Sequence, residues 1–314
     1  MLKFLKRTLL FSIPISAYVV IALIIDPYNV INDSEINLFT NNELEIPYKL
    51  NYPLYQLNKY SNNPADVVFL GDSRTQNLDY PTAKGLVKGS YINMAYGGGT
   101  IPEITETFWH IVNLKKPKEV YIGINFELFN EFNNMNRVDE ALELSSSIPS
   151  YIFSKYCFKS VFLILKNIIT PNSVSIGEIE TNKNEFWSFQ IEKFSNDYYK
   201  NYRYSLIFLQ DLSKVSNFCK KEKIKLTFFI PPTSIDIIDL SVKFNLEKKV
   251  IQFEKDISSL ADTYNFNYPN ILTKNKDNFD DPVHINKNTS KIILSGLLEN
   301  NNKYVIKTIN GKKN

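Results

Sequence analysis

Four consecutive apolar residues, Val67-Val68-Phe69-Leu70, run straight into Gly71-Asp72-Ser73-Arg74. A short unbroken apolar run stopped by a turn signal is the pattern of a strand buried on both faces, and such strands belong to parallel sheets covered by helices. A strand is therefore expected over 66–70. Similar short runs stand at 91–95, closed by Gly97-Gly98-Gly99, at 119–125, and at 225–230, stopped by Pro231-Pro232. Between them lie segments with helical spacing, at 101–114, 206–221, 250–264 and 289–298. The first of these opens with Thr100 as N-cap and Glu103 three residues on, a capping-box pattern. Alternation of strand and helix predicts an α/β fold with a parallel sheet and a functional site at the carboxyl ends of its strands. The main domain is placed at 65–300. Residues 130–205 break the alternation with aromatics, Asn and Glu, and are expected to form a helical insertion or lid rather than a separate domain. Residues 301–314 are expected to be a tail.

The turn after the first strand presents a serine, Ser73. More than 200 residues later the chain reads Asp281-Pro282-Val283-His284, one of only two histidines in the protein. A hydroxyl nucleophile, an imidazole base and a carboxylate that orients the base are the parts of an acyl-transfer site, and they need to meet in space rather than in sequence. The remaining requirement is a set of donors for the developing oxyanion. Each residue has a plainer reading alone. Ser73 can be a helix N-cap and Asp72 a turn residue, the glycines a simple turn, Asn125 a loop side chain satisfying backbone, and Asp281-Pro282 a plain turn, with Asp280 as the fallback carboxylate. His110, beside Trp109 at a helical position, is expected to be packed or exposed rather than catalytic. The aromatics Phe186, Trp187, Phe189, Tyr198, Tyr199, Tyr202 and Tyr204 are expected to be core more than a sugar platform. Thr75 stands two residues after the serine, so this is not the Gly-x-Ser-x-Gly elbow of α/β-hydrolases.

Taken together, four blocks resemble the SGNH, or GDSL-like, hydrolase superfamily over roughly residues 65–300. They are Gly71-Asp72-Ser73; Asn93-Met94-Ala95-Tyr96-Gly97-Gly98-Gly99-Thr100; Gly123-Ile124-Asn125; and Asp281-Pro282-Val283-His284. The resemblance implies a flavodoxin-like three-layer α/β/α sandwich and hydrolysis or transfer of an acyl group through a serine ester. It implies Ser73 as nucleophile, His284 as base and Asp281 as its orienting carboxylate. The oxyanion donors would be the backbone amides of Ser73 and Gly98 and the side chain of Asn125, with the glycine register open by one position. No metal or organic cofactor is implied. Phe126 stands where the third block often continues with Asp, and Arg74 where many secreted lipases carry Leu. With the N-terminal segment and the insertion, Arg74 resembles the membrane-attached branch that serves bacterial envelope polymers, through O-acetylation of polysaccharides or D-alanylation of teichoic acids.

The N-terminus sets the expected compartment. Lys3, Lys6 and Arg7 precede an uncharged stretch over residues 8–25, ended by Asp26-Pro27. As a helix these 18 residues span ~27 Å, close to a ~30 Å hydrocarbon core. The basic flank predicts a cytoplasmic stub at 1–7, a transmembrane anchor at 8–25 and a catalytic domain outside the cytoplasm. Residues 26–64, polar and Asn-rich, are expected to be juxtamembrane. A cleaved signal peptide is the competing reading, although Ile24-Ile25-Asp26-Pro27-Tyr28 offers no small-x-small site. With 36 basic and 33 acidic residues the charge is too even for a nucleic-acid partner. The two cysteines, Cys157 and Cys219, fit no metal spacing. They are either buried thiols or, outside the cytoplasm, one disulfide.

The sequence thus predicts a membrane-anchored serine esterase or acyltransferase. It would act on O-acyl groups, first of all acetyl, of a cell-envelope glycan or teichoic-acid-like polymer, with a membrane-bound O-acyltransferase as a candidate partner. The rival readings are D-alanyl ester transfer on the same site and a non-catalytic glycan-binding or assembly protein on the same fold.

Overall fold

A computed structural model describes residues 1–32, 41–78, 85–171, 183–299, 303–309 and 311–313, without the side chains of residues 2, 5, 6, 9, 41–44, 183 and 313. The chain divides into two compact units, one of Met1–Asn63 with Arg137–Ile179, the other of Pro64–Asn136 with Glu180–Asn314.

The second unit is built on a seven-stranded sheet in the order β2-β1-β3-β4-β5-β6-β7. Its strands are β1 (Val67–Leu70), β2 (Tyr91–Asn93), β3 (Glu119–Gly123), β4 (Lys225–Ile230), β5 (Asp262–Asn265), β6 (Ile306–Ile309) and β7 (Lys312–Lys313). The first five run parallel, with β1 central between β2 and β3. Every residue of β1 is buried, as expected of a strand with helices on both faces. The helix Ile101–Leu114 carries the expected capping box: Glu103 N–H donates to Thr100 Oγ1 at 3.3 Å, and Thr100 N–H donates to Glu103 Oε2 at 3.1 Å. The helix Leu206–Glu222 packs on β4 and on Ile101–Leu114, and Glu247–Leu260 packs on β5.

Two expectations fail at the end of the chain. The helix expected over 250–264 is Glu247–Leu260, and the residues after it form β5. Its Asp262-Thr263-Tyr264-Asn265 is too short and too polar to interrupt the helical spacing, and pairing with β4 decides it. The expected tail at 301–314 supplies β6 and β7, which add antiparallel to β5 and make the sheet mixed. Strands of four and two residues with charged side chains carry almost no signal of their own; the exposed edge of β5 recruits them.

The expected insertion is also divided. Its ends meet in a bridge between Asn130 and Tyr204, where Glu131 N–H donates to Arg203 C=O and Ser205 N–H to Phe129 C=O. Arg137–Ile179, however, clusters with the N-terminal segment. In that unit Tyr52–Asn62 packs on Val138–Ser146, and Asn41–Leu50 on Lys155–Ile169. Leu2–Ile25 is a single helix containing the uncharged stretch 8–25. Asp26 ends it in a left-handed conformation, its carboxylate accepting from the amides of Val30, Ile31 and Asn32. Among the described residues no helix is long and apolar enough to cross a membrane.

The core under the carboxyl end of the sheet is aromatic. Phe69 stacks on Tyr121 at 4.7 Å and meets Tyr91 and Phe229 edge-on. It is completely buried, so Phe69→Ala should cost about 3–5 kcal/mol, from lost burial and the cavity left behind. Urea unfolding followed by near-UV circular dichroism measures this. A loss under about 1 kcal/mol would mean the neighbouring rings close the gap.

Candidate active site

Ser73 follows β1 by three residues and opens the short helix Ser73–Gln76, capped by Asp72, whose Oδ1 accepts from Arg74 N–H at 3.0 Å. Two glycines allow the close packing this turn needs. A Cβ on Gly71 would come within 2.2 Å of Thr75 Oγ1, and one on Gly123, at the end of β3, within 1.9 Å of the same atom. The loop after β2 is hung on β1 by Met94 N–H to Phe69 C=O at 2.8 Å and Tyr96 N–H to Gly71 C=O at 3.0 Å. Asn93 ties it to the serine helix by donating from Nδ2 to Thr75 C=O at 2.9 Å.

The segment before the last helix reaches the same end of the sheet. His284 Nε2 lies 2.8 Å from Ser73 Oγ, and His284 Nδ1 lies 2.7 Å from Asp281 Oδ2. The other carboxylate oxygen of Asp281 accepts the backbone N–H of Val283 at 2.8 Å and of His284 at 3.0 Å. Burial alone would raise the Asp281 pKa. The hydrogen bond and charge of His284, with those two amides, outweigh it and hold the carboxyl below its usual range. A backbone bridge between Phe279 and Ile285 and a bond from Ser234 N–H to Pro282 C=O fix the loop. Asp281, not the fallback Asp280, faces the imidazole; Asp280 gives its N–H to His284 C=O.

The three sequence-predicted residues Ser73, His284 and Asp281 therefore form one hydrogen-bonded chain across 211 positions. An ionised Asp281 selects the tautomer with the proton on Nδ1, leaving Nε2 free to accept from the serine hydroxyl. Gly99 N–H is used within the turn, donating to Tyr96 C=O at 2.9 Å, whereas Gly97 and Gly98 are exposed beside it. Gly98 has a φ of 61°, a conformation that strains any residue with a Cβ.

Asn125 follows β3 and is completely buried. Assigned from its partners, its carboxamide oxygen accepts from Arg74 Nε at 2.7 Å and Nη2 at 3.2 Å, and its nitrogen donates to Pro231 C=O at 3.2 Å. Pro231 takes one of the two hydrogens on that nitrogen. Arg74 is itself almost fully buried. It donates to Asp72 Oδ2 from Nε at 2.8 Å and Nη2 at 2.6 Å, and to Glu127 Oε2 from Nη1 at 3.2 Å. Burial opposes its charge, but Asp72 and Glu127 overcome this and raise its pKa. The far oxygen of Glu127 accepts the Tyr199 hydroxyl at 2.6 Å. Glu127 was not singled out from the sequence. Its one signal was a carboxylate in the otherwise apolar Phe126–Phe129 segment, two residues past Asn125.

The aromatic run is mostly structural. Trp187 is buried with Nε1 bonded to Asp236, Tyr202 stacks on Phe126 at 4.2 Å, and Tyr204 bonds Asp256. Tyr199 and Tyr202 also line a groove of about 650 Å³ with Phe132, Asp197 and Arg203. His110, whose pKa burial lowers, belongs to the Ile101–Leu114 helix. Cys157 and Cys219 are free and buried, and burial pushes the Cys219 thiol up to about 12. Among the described residues, no cluster of three His, Cys, Asp or Glu side chains could hold a metal ion.

No protein-family model matches the chain, and no curated protein is similar to it. Solved structures do match. One, from Streptococcus pneumonia and described as a candidate platelet activating factor, is 9% identical, with 82% of this chain and 95% of that one covered at a TM-score of 0.45. A GDSL-like lipase from Bacteroides thetaiotaomicron is 14% identical, with 80% and 96% covered at a TM-score of 0.38. A candidate acylhydrolase from Bacteroides fragilis is 13% identical, with 76% and 86% covered at a TM-score of 0.33. Likenesses this distant carry no weight for the chemistry, which rests on the residues of this chain.

The Arg74 cluster predicts a stability effect. Arg74→Ala would strand the buried carboxylates of Asp72 and Glu127 and should cost about 3–5 kcal/mol. Glu127→Gln should cost less, because the amide still accepts the Tyr199 hydroxyl and Arg74 keeps Asp72. Denaturant midpoints of the two variants give the comparison, and equal losses would refute the charge argument.

Proposed function

We propose that this chain is a membrane-anchored, serine-dependent acyl esterase or acyltransferase acting on O-acyl groups of a cell-envelope polysaccharide, with acetyl as the first candidate. The observation that carries the reading is the chain Ser73 Oγ–His284 Nε2–His284 Nδ1–Asp281 Oδ2, with contacts of 2.8 and 2.7 Å.

Ser73 Oγ attacks the ester carbonyl while His284 Nε2 takes its proton. The tetrahedral oxyanion is met by the backbone amides of Ser73 and Gly98. The Asn125 carboxamide, whose oxygen is held by Arg74, adds the hydrogen that Pro231 does not take. His284 then returns the proton to the departing sugar oxygen, which leaves an acyl-serine. Water completes hydrolysis, and a second sugar hydroxyl completes transfer.

The anchor rests on the uncharged run 8–25 read whole. Phe11, Ile13, Ile15, Val20 and Ile24 expose more than half of their surface in the folded chain, a state that lipid would relieve. The basic residues before the run favour a cytoplasmic N-terminus.

The full chain in detergent should hydrolyse p-nitrophenyl acetate and be labelled at Ser73 by a fluorophosphonate. Ser73→Ala should abolish both activities, and Asn125→Ala should slow turnover by roughly 10²–10³, the usual loss of one oxyanion donor. Unchanged turnover in Asn125→Ala would remove it from the oxyanion hole. A folded wild type that resists labelling would favour a glycan-binding protein. A reporter enzyme fused at the C-terminus should be active only outside the cytoplasm; activity inside would reverse the orientation.

A further inference from the structure

The helix Lys155–Ile169 carries large apolar residues on its exposed side as well as on its buried side. The side it buries includes Cys157, Ser160 and Asn167 beside Val161 and Ile164. The side it exposes carries Phe158, Phe162 and Ile169, which are 59%, 60% and 81% accessible, with the half-buried Leu165 between the last two. Positions 158, 162, 165 and 169 follow the four-three-four spacing of one helical stripe. Phe153, just before the helix, is 65% exposed as well. A helix facing water on this side would carry polar residues at these positions. Exposed lysines, Lys155, Lys159 and Lys166, flank the stripe; Lys155 also lies 3.8 Å from Glu140.

This segment is fastened to the C-terminal part of the N-terminal helix. The Tyr18 hydroxyl donates to Ile152 C=O, and the Tyr18 ring lies 5.4 Å from Phe158. Ser160 Oγ donates to the Tyr28 hydroxyl at 3.1 Å, and Tyr28 N–H donates to the Tyr151 hydroxyl at 3.2 Å. The attachment sets a depth. Tyr18 precedes Ile25, the last residue of the helix, by seven positions, or ~10 Å along the helix axis. If residues 8–25 cross a bilayer with the N-terminus inside, Phe158 lies ~10 Å inside the outer end of the span. Interfacial helices seat their apolar faces about 5–10 Å into the boundary between headgroups and acyl chains.

We propose that Ile148–Ile152 and Lys155–Ile169 form a second membrane-contacting element. The Phe158–Phe162–Leu165–Ile169 stripe would lie on the acyl chains of the outer leaflet, with Lys155, Lys159 and Lys166 on lipid phosphates. The occupant is an anionic lipid surface because lysines border the stripe and because it continues the exposed apolar surface of the N-terminal helix. Long lysine stems let the ammonium groups reach the headgroups while their methylenes stay with the stripe. The inference rests on the anchor reading and is independent of the serine chemistry.

The test uses the full chain in vesicles of phosphatidylcholine and phosphatidylglycerol, with a nitroxide attached at one introduced cysteine. The sites are Ile13→Cys in the span, Phe162→Cys on the stripe and Ile207→Cys on an exposed apolar position of the sheet unit; the native thiols are buried. Collision rates with oxygen and with a water-soluble nickel complex report depth. The proposal expects oxygen preference at positions 13 and 162, and nickel preference at 207. Oxygen preference at 13 with nickel preference at 162 would overturn the second contact and leave the anchor standing. Nickel preference at both would overturn the anchor as well. Position 162 shielded from both reagents would mean that protein covers the stripe, and would overturn the lipid assignment. Changing the three lysines together to Glu should raise nickel access at position 162 several-fold in anionic vesicles; no change would overturn the phosphate contacts.

Discussion

The Arg74 guanidinium is a positive charge with almost no access to water. Isolated, such a charge would be prohibitive; held between Asp72 and Glu127 it becomes a clamp. Its geometry constrains the serine side of the carboxyl end of the sheet. Asp72 caps the turn that presents Ser73, Glu127 belongs to the segment after β3, and Asn125 lies between them with its amide oxygen on Arg74. Through Tyr199 the clamp reaches the segment 195–204. A lysine could not replace it, because a point charge lacks the planar fork that meets several acceptors at once.

The catalytic reading depends on a second, looser connection. His284 and Asp281 belong to a loop in which Asp281 accepts two nearby amides, Phe279 pairs with Ile285, and both of those side chains join the hydrophobic core. The loop meets Ser73 through one imidazole contact. The serine side is thus held by buried charge, and the histidine side by turn geometry, core packing and a bond from Ser234. A rigid nucleophile beside a base on a loop suits a site in which the imidazole must pass a proton between two oxygens.

The first unit poses a different physical problem. Its helix Lys155–Ile169 exposes phenylalanines although its other side already buries Val161 and Ile164. In water that arrangement leaves apolar surface unrelieved. The proposed lipid contacts would relieve it on the N-terminal helix and on Lys155–Ile169 alike. The Tyr18–Phe158 contact links the two surfaces.

The sequence by itself determined the parallel core and the candidate triad. Strands β1 to β4 and the Ile101–Leu114 helix are legible because buried parallel strands are continuous apolar runs and capping boxes are local. Ser73, Asp281 and His284 are legible because few side chains can do their chemistry and two histidines leave little choice. Only the tertiary structure decided the rest, because its causes are not local. The polar strand β5 exists because β4 offers it partners, and β6 and β7 exist because β5 does. Among the three glycines, the fold closes a turn with Gly99 N–H on Tyr96 C=O and gives Gly98 a φ of 61°. Arg74 stood out in the sequence only as an unusual neighbour of the serine. Its partner Glu127, 53 residues away, could be recognised only once folding had removed both from water and brought the guanidinium to that carboxylate as well as to Asp72.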